Sequence, residues 1–222
     1  MNFYTDRQTI DDLNIFGKRG QQSVYSIFNR TYTRGGAELL EAMFLHPLGD
    51  ITAINNRIEN IRLFGQLKAD FIRKHLLFEA VELYMAIRDA RSKLNHTDQG
   101  LSKLVRNAMS ADTDLNLIKK GIHALTELLQ ELKKFCTICS EQVPAHHPWQ
   151  AELFSIQKII QLPELQPVFT VNCKKISFEW QVQLDQLFRF SWRNEIQQLL
   201  HYCSQMDVFM SVAAIMESRK FG

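Results

Sequence analysis

Glycine and proline are scarce in this chain, nine and five among 222 residues, and long stretches hold neither. That scarcity argues against a turn-rich all-β architecture and favours long helices. No run approaches the roughly 20 uninterrupted apolar residues of a membrane span, and the start, Met1-Asn2-Phe3-Tyr4-Thr5-Asp6, lacks the charged-then-apolar order of a signal peptide. A cytoplasmic location with no membrane partner is therefore expected. The four cysteines are too few to read as a disulfide framework and are expected as reduced thiols. Charge of one sign is lacking too, since 26 basic residues face 24 acidic ones, a formal net charge of +2 with no global field to draw the protein onto polyanions. The basic pairs Lys18-Arg19, Lys119-Lys120, Lys133-Lys134 and Lys174-Lys175 read as solvated helix faces.

Motifs for chemistry are also missing. A phosphate-binding loop needs G-x-x-x-x-G-K-[ST], so that backbone N–H groups surround phosphate while the lysine and hydroxyl reach phosphate and metal. The only Gly-Lys pair, Gly17-Lys18, is followed by Arg19 and has Asp12 where the first glycine belongs. No nucleotide hydrolysis is expected from this chain. Cys136-x-x-Cys139 with His146 and His147 resembles a zinc site, but adjacent histidines suit tetrahedral geometry poorly and both thiols continue an apolar seam. Packing is the preferred reading there. His75, His96, His123 and His201 are scattered without a nucleophile or acid at recognisable spacing, and Trp149, Trp180 and Trp192 read as core or interface residues.

Hydrophobic residues make up 45% and charged residues 23%, the balance of a chain that buries a core. Their spacing is helical almost throughout. A short segment over 5–16 leads to the glycine loop at Gly17-Lys18-Arg19-Gly20, and a helix resumes at Ser23 with Val24, Ile27 and Phe28 on one face. After Gly35-Gly36 a second helix carries Leu39, Leu40, Met43 and Phe44 and stops before Pro47. Asp50 or Thr52 is expected to cap a long helix with Ile54, Ile58 and Ile61 in register, continuing through Phe64, Leu67 and Phe71. Another helical pattern covers 76–94, and the polar stretch 95–100 reads as a turn.

Leu115, Ile118, Ile122, Leu125, Leu129, Leu132, Cys136 and Cys139 then alternate three and four apart, the spacing of a coiled-coil seam. A helix from about Asp112 to Ser140 would be roughly 40 Å long and is expected to project as an arm. Pro144, Pro148, Pro163 and Pro167 leave room for a modest helix over 151–161 between loops, and Val168-Phe169-Thr170-Val171 is a candidate short strand. A return arm is expected from Ser177 through Phe188, Trp192, Ile196, Leu199 and Cys203, with a terminal helix from about Ser204 carrying Val208, Val212 and Ile215.

The stretch Ser23-Val24-Tyr25-Ser26-Ile27-Phe28-Asn29-Arg30-Thr31-Tyr32-Thr33-Arg34-Gly35-Gly36-Ala37-Glu38-Leu39-Leu40 resembles the run of the core domain of the MutS family of DNA mismatch-repair ATPases in which a "L-D-x-T-x-T-x-x-G-x-R-L-L" string joins two helices, with Glu38 at the family's arginine. Pro47-Leu48, Asp50, Ile54, Arg57 and Ile61 are similar to its "P-L-x-D-x-x-x-I-x-x-R-x-x-x-V" continuation. Thr9, Leu13 and Ile15 resemble its "T-x-x-x-L-E-L" opening, with Asn14 at the acidic position. Asp207, Phe209, Ser211 and Ala213 resemble the "L-D-x-L-x-S-x-A" helix that precedes the ATPase domain.

This resemblance implies an all-α fold with a helical core bundle, long antiparallel lever helices and at most a minor β element near the lever tip. It implies a core bundle from 1–110 and 185–222, with lever arms over 111–184 and a reduced tip in place of the DNA-contacting clamp, because fewer than forty residues separate Cys139 from Phe178. Thr31, Thr33, Gly35, Gly36, Leu39, Leu40, Pro47, Leu48, Arg57, Asp207, Ser211 and Ala213 are expected as structural motif residues, threonine capping N–H groups and glycine allowing close approach. The expected role is mechanical, relaying an ATPase state to DNA without catalysis, cofactor or metal in this piece. ATP and magnesium would belong to an ATPase domain following Gly222, and the mismatch-reading and connector domains would lie outside the chain. DNA and a homodimer are the expected partners of the full-length parent, with DNA binding by the fragment weak or absent. Two alternatives are a free-standing helical scaffold for protein–protein contacts and a metal-dependent enzyme.

Overall fold

The computed structural model describes residues 6–17, 22–67, 69–87 and 111–219. The expected turn at 95–100, the end of the helical pattern beyond Ile87 and the pair Lys18-Arg19 lie outside the described residues. The described residues are helical with no strand, in the order α1 Arg7–Asp12, α2 Val24–Phe28, α3 Arg34–Leu45, α4 Ile51–Gln66, α5 His75–Met85, α6 Ala111–Gln142, α7 Gln150–Ile160, α8 Phe178–Gln186 and α9 Arg193–Arg219. The all-α expectation therefore holds.

Local chemistry explains the starts of these helices. Asp6, Ser23, Thr33, Asp50 and Ser177 each accept an N–H from the first turn that follows, filling donors that would otherwise be orphaned. At α2 the exchange is reciprocal, with the Ser26 hydroxyl accepting from the Ser23 N–H at 2.8 Å. Asn14 stands at φ 50°, in the left-handed region that asparagine tolerates better than most residues, at the position where the resembled family has an acid.

Several expectations need correction, the first being the helix continuing through Phe71, since α4 ends at Gln66 and Phe71 lies in a separate 3-10 turn, Asp70–Arg73. Gly35 and Gly36 do not separate two helices, because Thr33 caps α3 and both glycines lie in its first turn. Val168–Val171 is no strand. Pro163–Phe169 forms a tight 3-10 turn, and the Pro167 carbonyl accepts N–H groups from both Thr170 and Val171, which leaves no extended backbone there. The return helix is not continuous from Ser177, since α8 ends at Gln186 and a π turn, Leu187–Ser191, precedes α9. Beyond that turn α9 runs through Ser204 without a break, so no separate terminal helix begins there.

The described chain divides into two compact units, one drawn from Met1–Arg73, Ile138–Ser155 and Leu200–Gly222, the other from Lys74–Thr137 and Ile156–Leu199. Helices α6, α7 and α9 each contribute residues to both. In the first unit Phe64, Trp149 and Phe209 form an aromatic triangle with ring centroids 4.9, 5.8 and 5.9 Å apart, and Leu40, Leu63, Phe71 and Ile215 of the same unit are buried too. The second unit is centred on α6. Its expected seam residues Ile118, Ile122, Leu125, Leu129 and Leu132 are buried, and so are Ala124, Thr126 and Leu128. The buried stripe is thus wider than a two-position seam, as for a helix packed inside a core.

Among the described residues one helix, α9, is long and apolar enough by length and composition to cross a membrane, but half of its most apolar window is buried inside the protein. It also carries the buried carboxylate Asp207. Both features are those of a core helix.

Candidate functional site

Two buried polar clusters stand out, one in each unit. The first joins segments about 175 residues apart in sequence. The loop 29–33 is held open by side chains, with Thr31 Oγ1 donating to Asn29 Oδ1 at 2.6 Å and Asn29 Nδ2 donating to the Tyr25 hydroxyl at 2.9 Å. The Tyr25 hydroxyl donates in turn to the Ala37 carbonyl. This leaves the N–H groups of Tyr32 and Thr33 pointing away from their own loop, and both donate to the Asp207 carboxylate of α9 at 2.8–3.0 Å.

Thr33 Oγ1 donates to Asp207 Oδ2 at 2.7 Å and accepts the Gly36 N–H at 2.9 Å, so one hydroxyl both caps α3 and binds α9. One helical turn further along α9, Ser211 Oγ donates to the Phe28 carbonyl and accepts the Arg30 N–H, both at 2.7 Å. It thereby fills a carbonyl at the end of α2 that the helix leaves open.

Glycine is required where the two segments meet. A Cβ on Gly36 would overlap the Asp207 carboxylate, and one on Gly35 would meet the Ser204 hydroxyl. Asp207 is fully buried, and no ion pair to it occurs among the described residues. Burial pushes its carboxyl above the ordinary value of 3.8, while the donors of Thr33 and Tyr32 pull the other way and do not fully offset it.

The structure therefore brings Thr33, Gly35, Gly36, Asp207 and Ser211 together, with Thr31 shaping the loop they share. Leu40 is a core residue, Leu39 is partly covered, and Ala213 packs against Gly65 of α4, where an added Cβ would lie 3.3 Å away. Pro47, Leu48 and Arg57 lie outside this cluster. Burial lowers the Arg57 guanidinium from its ordinary value.

The second cluster has no counterpart among the sequence expectations. Arg189 grips Asp185 with Nε to Oδ1 at 2.7 Å and Nη2 to Oδ2 at 2.6 Å, and the Tyr84 hydroxyl donates to Asp185 Oδ1 at 2.8 Å. All three side chains are buried. Arg189 lies in the π turn, and its Nη1 finds no partner among the described residues. Arg193 Nη2 donates to the Met85 carbonyl at the end of α5, 2.8 Å away. Burial, then the Asp185 carboxylate, pushes the Tyr84 phenol well above its ordinary value of 10.0. Burial pulls the Arg189 guanidinium down, and the hydrogen bonds and charge of Asp185 more than restore it. Tyr84 reaches this position because Gly121 of α6 has no side chain, since a Cβ there would overlap the Cβ and Cγ of Tyr84. A spacing of four between Asp185 and Arg189 was the one trace in the sequence, and such pairs are usually exposed.

The zinc reading does not fit the residues. Cys136 and Cys139 are buried in the α6 face, and burial pushes the Cys139 thiol up to about 12, away from the thiolate a metal needs. His147 Nδ1 accepts the Trp149 N–H at 3.1 Å. Among the described residues no group of three or more His, Cys, Asp or Glu side chains converges as metal ligands would.

An all-helical module whose N-terminal helices are tied through a buried carboxylate to its last helix is the class that fold and junction define. A family model described as MutS domain III matches residues 8–213, and the chain belongs to that family. It is 25% identical over 130 residues to the DNA mismatch repair protein MutS of Thermotoga neapolitana, covering 59% of this chain and 14% of that protein. It is 31% identical over 64 residues to the DNA mismatch repair protein MutS of Pseudothermotoga lettingae, covering 29% of this chain and 8% of that protein. The chain thus spans a small part of the curated relatives it matches. No solved structure matches it significantly.

Proposed function

We propose that this chain is the core and lever portion of a MutS-like ATPase acting in DNA mismatch repair or on another DNA structure, and that it couples nucleotide state to DNA contacts mechanically. In this reading the core bundle draws on 1–110 and 185–222, and the lever on 111–184 with a small tip in place of a clamp. ATP and magnesium, the homodimer contacts and most of the DNA affinity belong to the remainder of a cytoplasmic parent, and this portion catalyses nothing.

The observation that carries the reading is the junction at Asp207. Two segments that resemble family strings lie about 175 residues apart, and they share one carboxylate. The test is DNA-stimulated ATP hydrolysis by the full-length parent carrying Asp207→Asn. Nucleotide affinity should persist while stimulation by DNA falls, and unchanged stimulation would refute the coupling role.

One observation favours the scaffold alternative. Ile51, Ile54 and Ile58 form an exposed apolar stripe on α4, 75%, 38% and 37% accessible, as an interaction surface would. The native gene downstream of Gly222 discriminates the two readings, since the ATPase reading requires a phosphate-binding loop sequence there.

A further inference from the structure

Scattered along the sequence, the basic pairs and tryptophans read as solvated faces and core. The second unit changes that reading for two pairs and one tryptophan. His123 Nδ1 lies 2.6 Å from the Cys173 carbonyl, so the chain at 173 is held against α6. Lys119 and Lys120 stand one turn earlier on that face of α6, about 6 Å along the axis from His123. Lys174 and Lys175 follow Cys173 directly, in a turn fixed by the Lys175 N–H on the Asn172 carbonyl and the Lys174 N–H on Asn172 Oδ1. Two lysines on each side thus flank the contact between His123 and the Cys173 carbonyl.

Lys120, Lys174 and Lys175 are exposed and Lys119 partly so. None of the four forms an ion pair among the described residues, whereas nearby Glu127 is paired with Lys74 and Glu131 with Lys134. Ser177 then caps α8, which places Trp180 in its first turn beside exposed Glu179. Within 115–123 and 172–180, the segments that meet at the His123–Cys173 contact, four lysines stand against one carboxylate, Glu179, a local excess of positive charge. Trp180 is 36% exposed and is the most accessible of the three tryptophans, Trp149 being 1% exposed. Clustered lysines with an exposed aromatic ring are the pairing that meets a phosphate backbone and an unstacked base together.

We propose that Lys119, Lys120, Lys174, Lys175 and Trp180 form a docking surface for single-stranded nucleic acid, the lysines meeting phosphates and Trp180 stacking on an unpaired base. This deepens the reading above, on which it rests, by naming contacts made by this chain itself. An acidic protein partner would use the lysines and leave the ring idle, so the two are separable.

The test is fluorescence anisotropy of the 222-residue chain with a labelled mixed-sequence single strand of about 30 nucleotides, at salt from about 50 to about 200 mM. Affinity should fall with salt. Replacing all four lysines by glutamine should flatten the log–log slope by about 3, at about 0.7 for each phosphate no longer neutralised. Trp180→Ala should weaken binding about tenfold and abolish the quenching of tryptophan fluorescence by the strand. Circular dichroism of each variant should retain the helical signal, these being surface positions. The proposal is overturned if the unaltered chain does not bind, if the glutamine variant keeps the full slope, if Trp180→Ala binds as before, or if polyglutamate competes as well as the strand. DNA-stimulated hydrolysis by the parent reports separately on the family-level reading, so failure of the surface and failure of that reading are distinguishable.

Discussion

Asp207 is fully buried, and its charge is answered by the N–H groups of Tyr32 and Thr33 and the Thr33 hydroxyl. Asp207→Ala would leave those donors buried and unmatched, and should cost about 3 kcal/mol in urea unfolding; a loss under about 1 kcal/mol would refute the account. The glycines beside it should behave differently. Gly36→Ala drives a Cβ into the carboxylate, whereas Gly35→Ala meets a Ser204 hydroxyl that can rotate away from its bond to the Leu200 carbonyl. Gly36→Ala should therefore be the more destabilising by at least about 1 kcal/mol, measured side by side. Among the thiols, Cys139 is fully buried and its ionisation is pushed up to about 12, while Cys173 is partly exposed. A thiol reagent at neutral pH should label Cys173 promptly and Cys139 only on unfolding, and equal rates would contradict the burial.

At the scale of elements, α5, α8 and the π turn are fastened by a phenol, a carboxylate and a guanidinium. Removing one member of a buried pair strands the other, so Arg189→Met should cost about 3–5 kcal/mol, and Asp185→Leu with Arg189→Met together should cost less than Arg189→Met alone. Equilibrium unfolding of the single and double variants decides this, and additive losses would mean that the pair does not act as a unit. The cap of α4 was legible at Asp50 and the starts of α2 and α8 near Ser23 and Ser177, because serine and aspartate ahead of an apolar helical run have one common use. The π turn was not, since apolar spacing of three and four continues across Phe188, Trp192 and Ile196 whether or not a residue is inserted. Val168-Phe169 misled for a related reason, as a β-branched and an aromatic residue after Pro167 suit a strand or a tight turn equally well.

Across the whole molecule, stability should carry the mark of Asp207. Its carboxyl titrates above 3.8 in the folded state, so folding takes up a proton that the unfolded chain has released. That contribution is fully present below 3.8 and disappears as pH rises through the raised value. The original chain should therefore lose ground to Asp207→Asn between about pH 4 and neutrality in urea midpoints, and a difference growing with pH in favour of the original chain would show that hydrogen bonding outweighs burial.

Helix content, the cap at Asp50, the long α6 and the family strings could all be read along the chain, because each depends on neighbours within one or two turns. Which polar residues become buried partners could not. Thr33 and Asp207, or Tyr84 and Asp185, are separated by more than a hundred positions, and nothing local records that they share one dry environment. Burial also reverses the meaning of a residue type. An acid on a helix is ordinarily solvated, and the same acid becomes a structural anchor once packing removes water and aims donors at it.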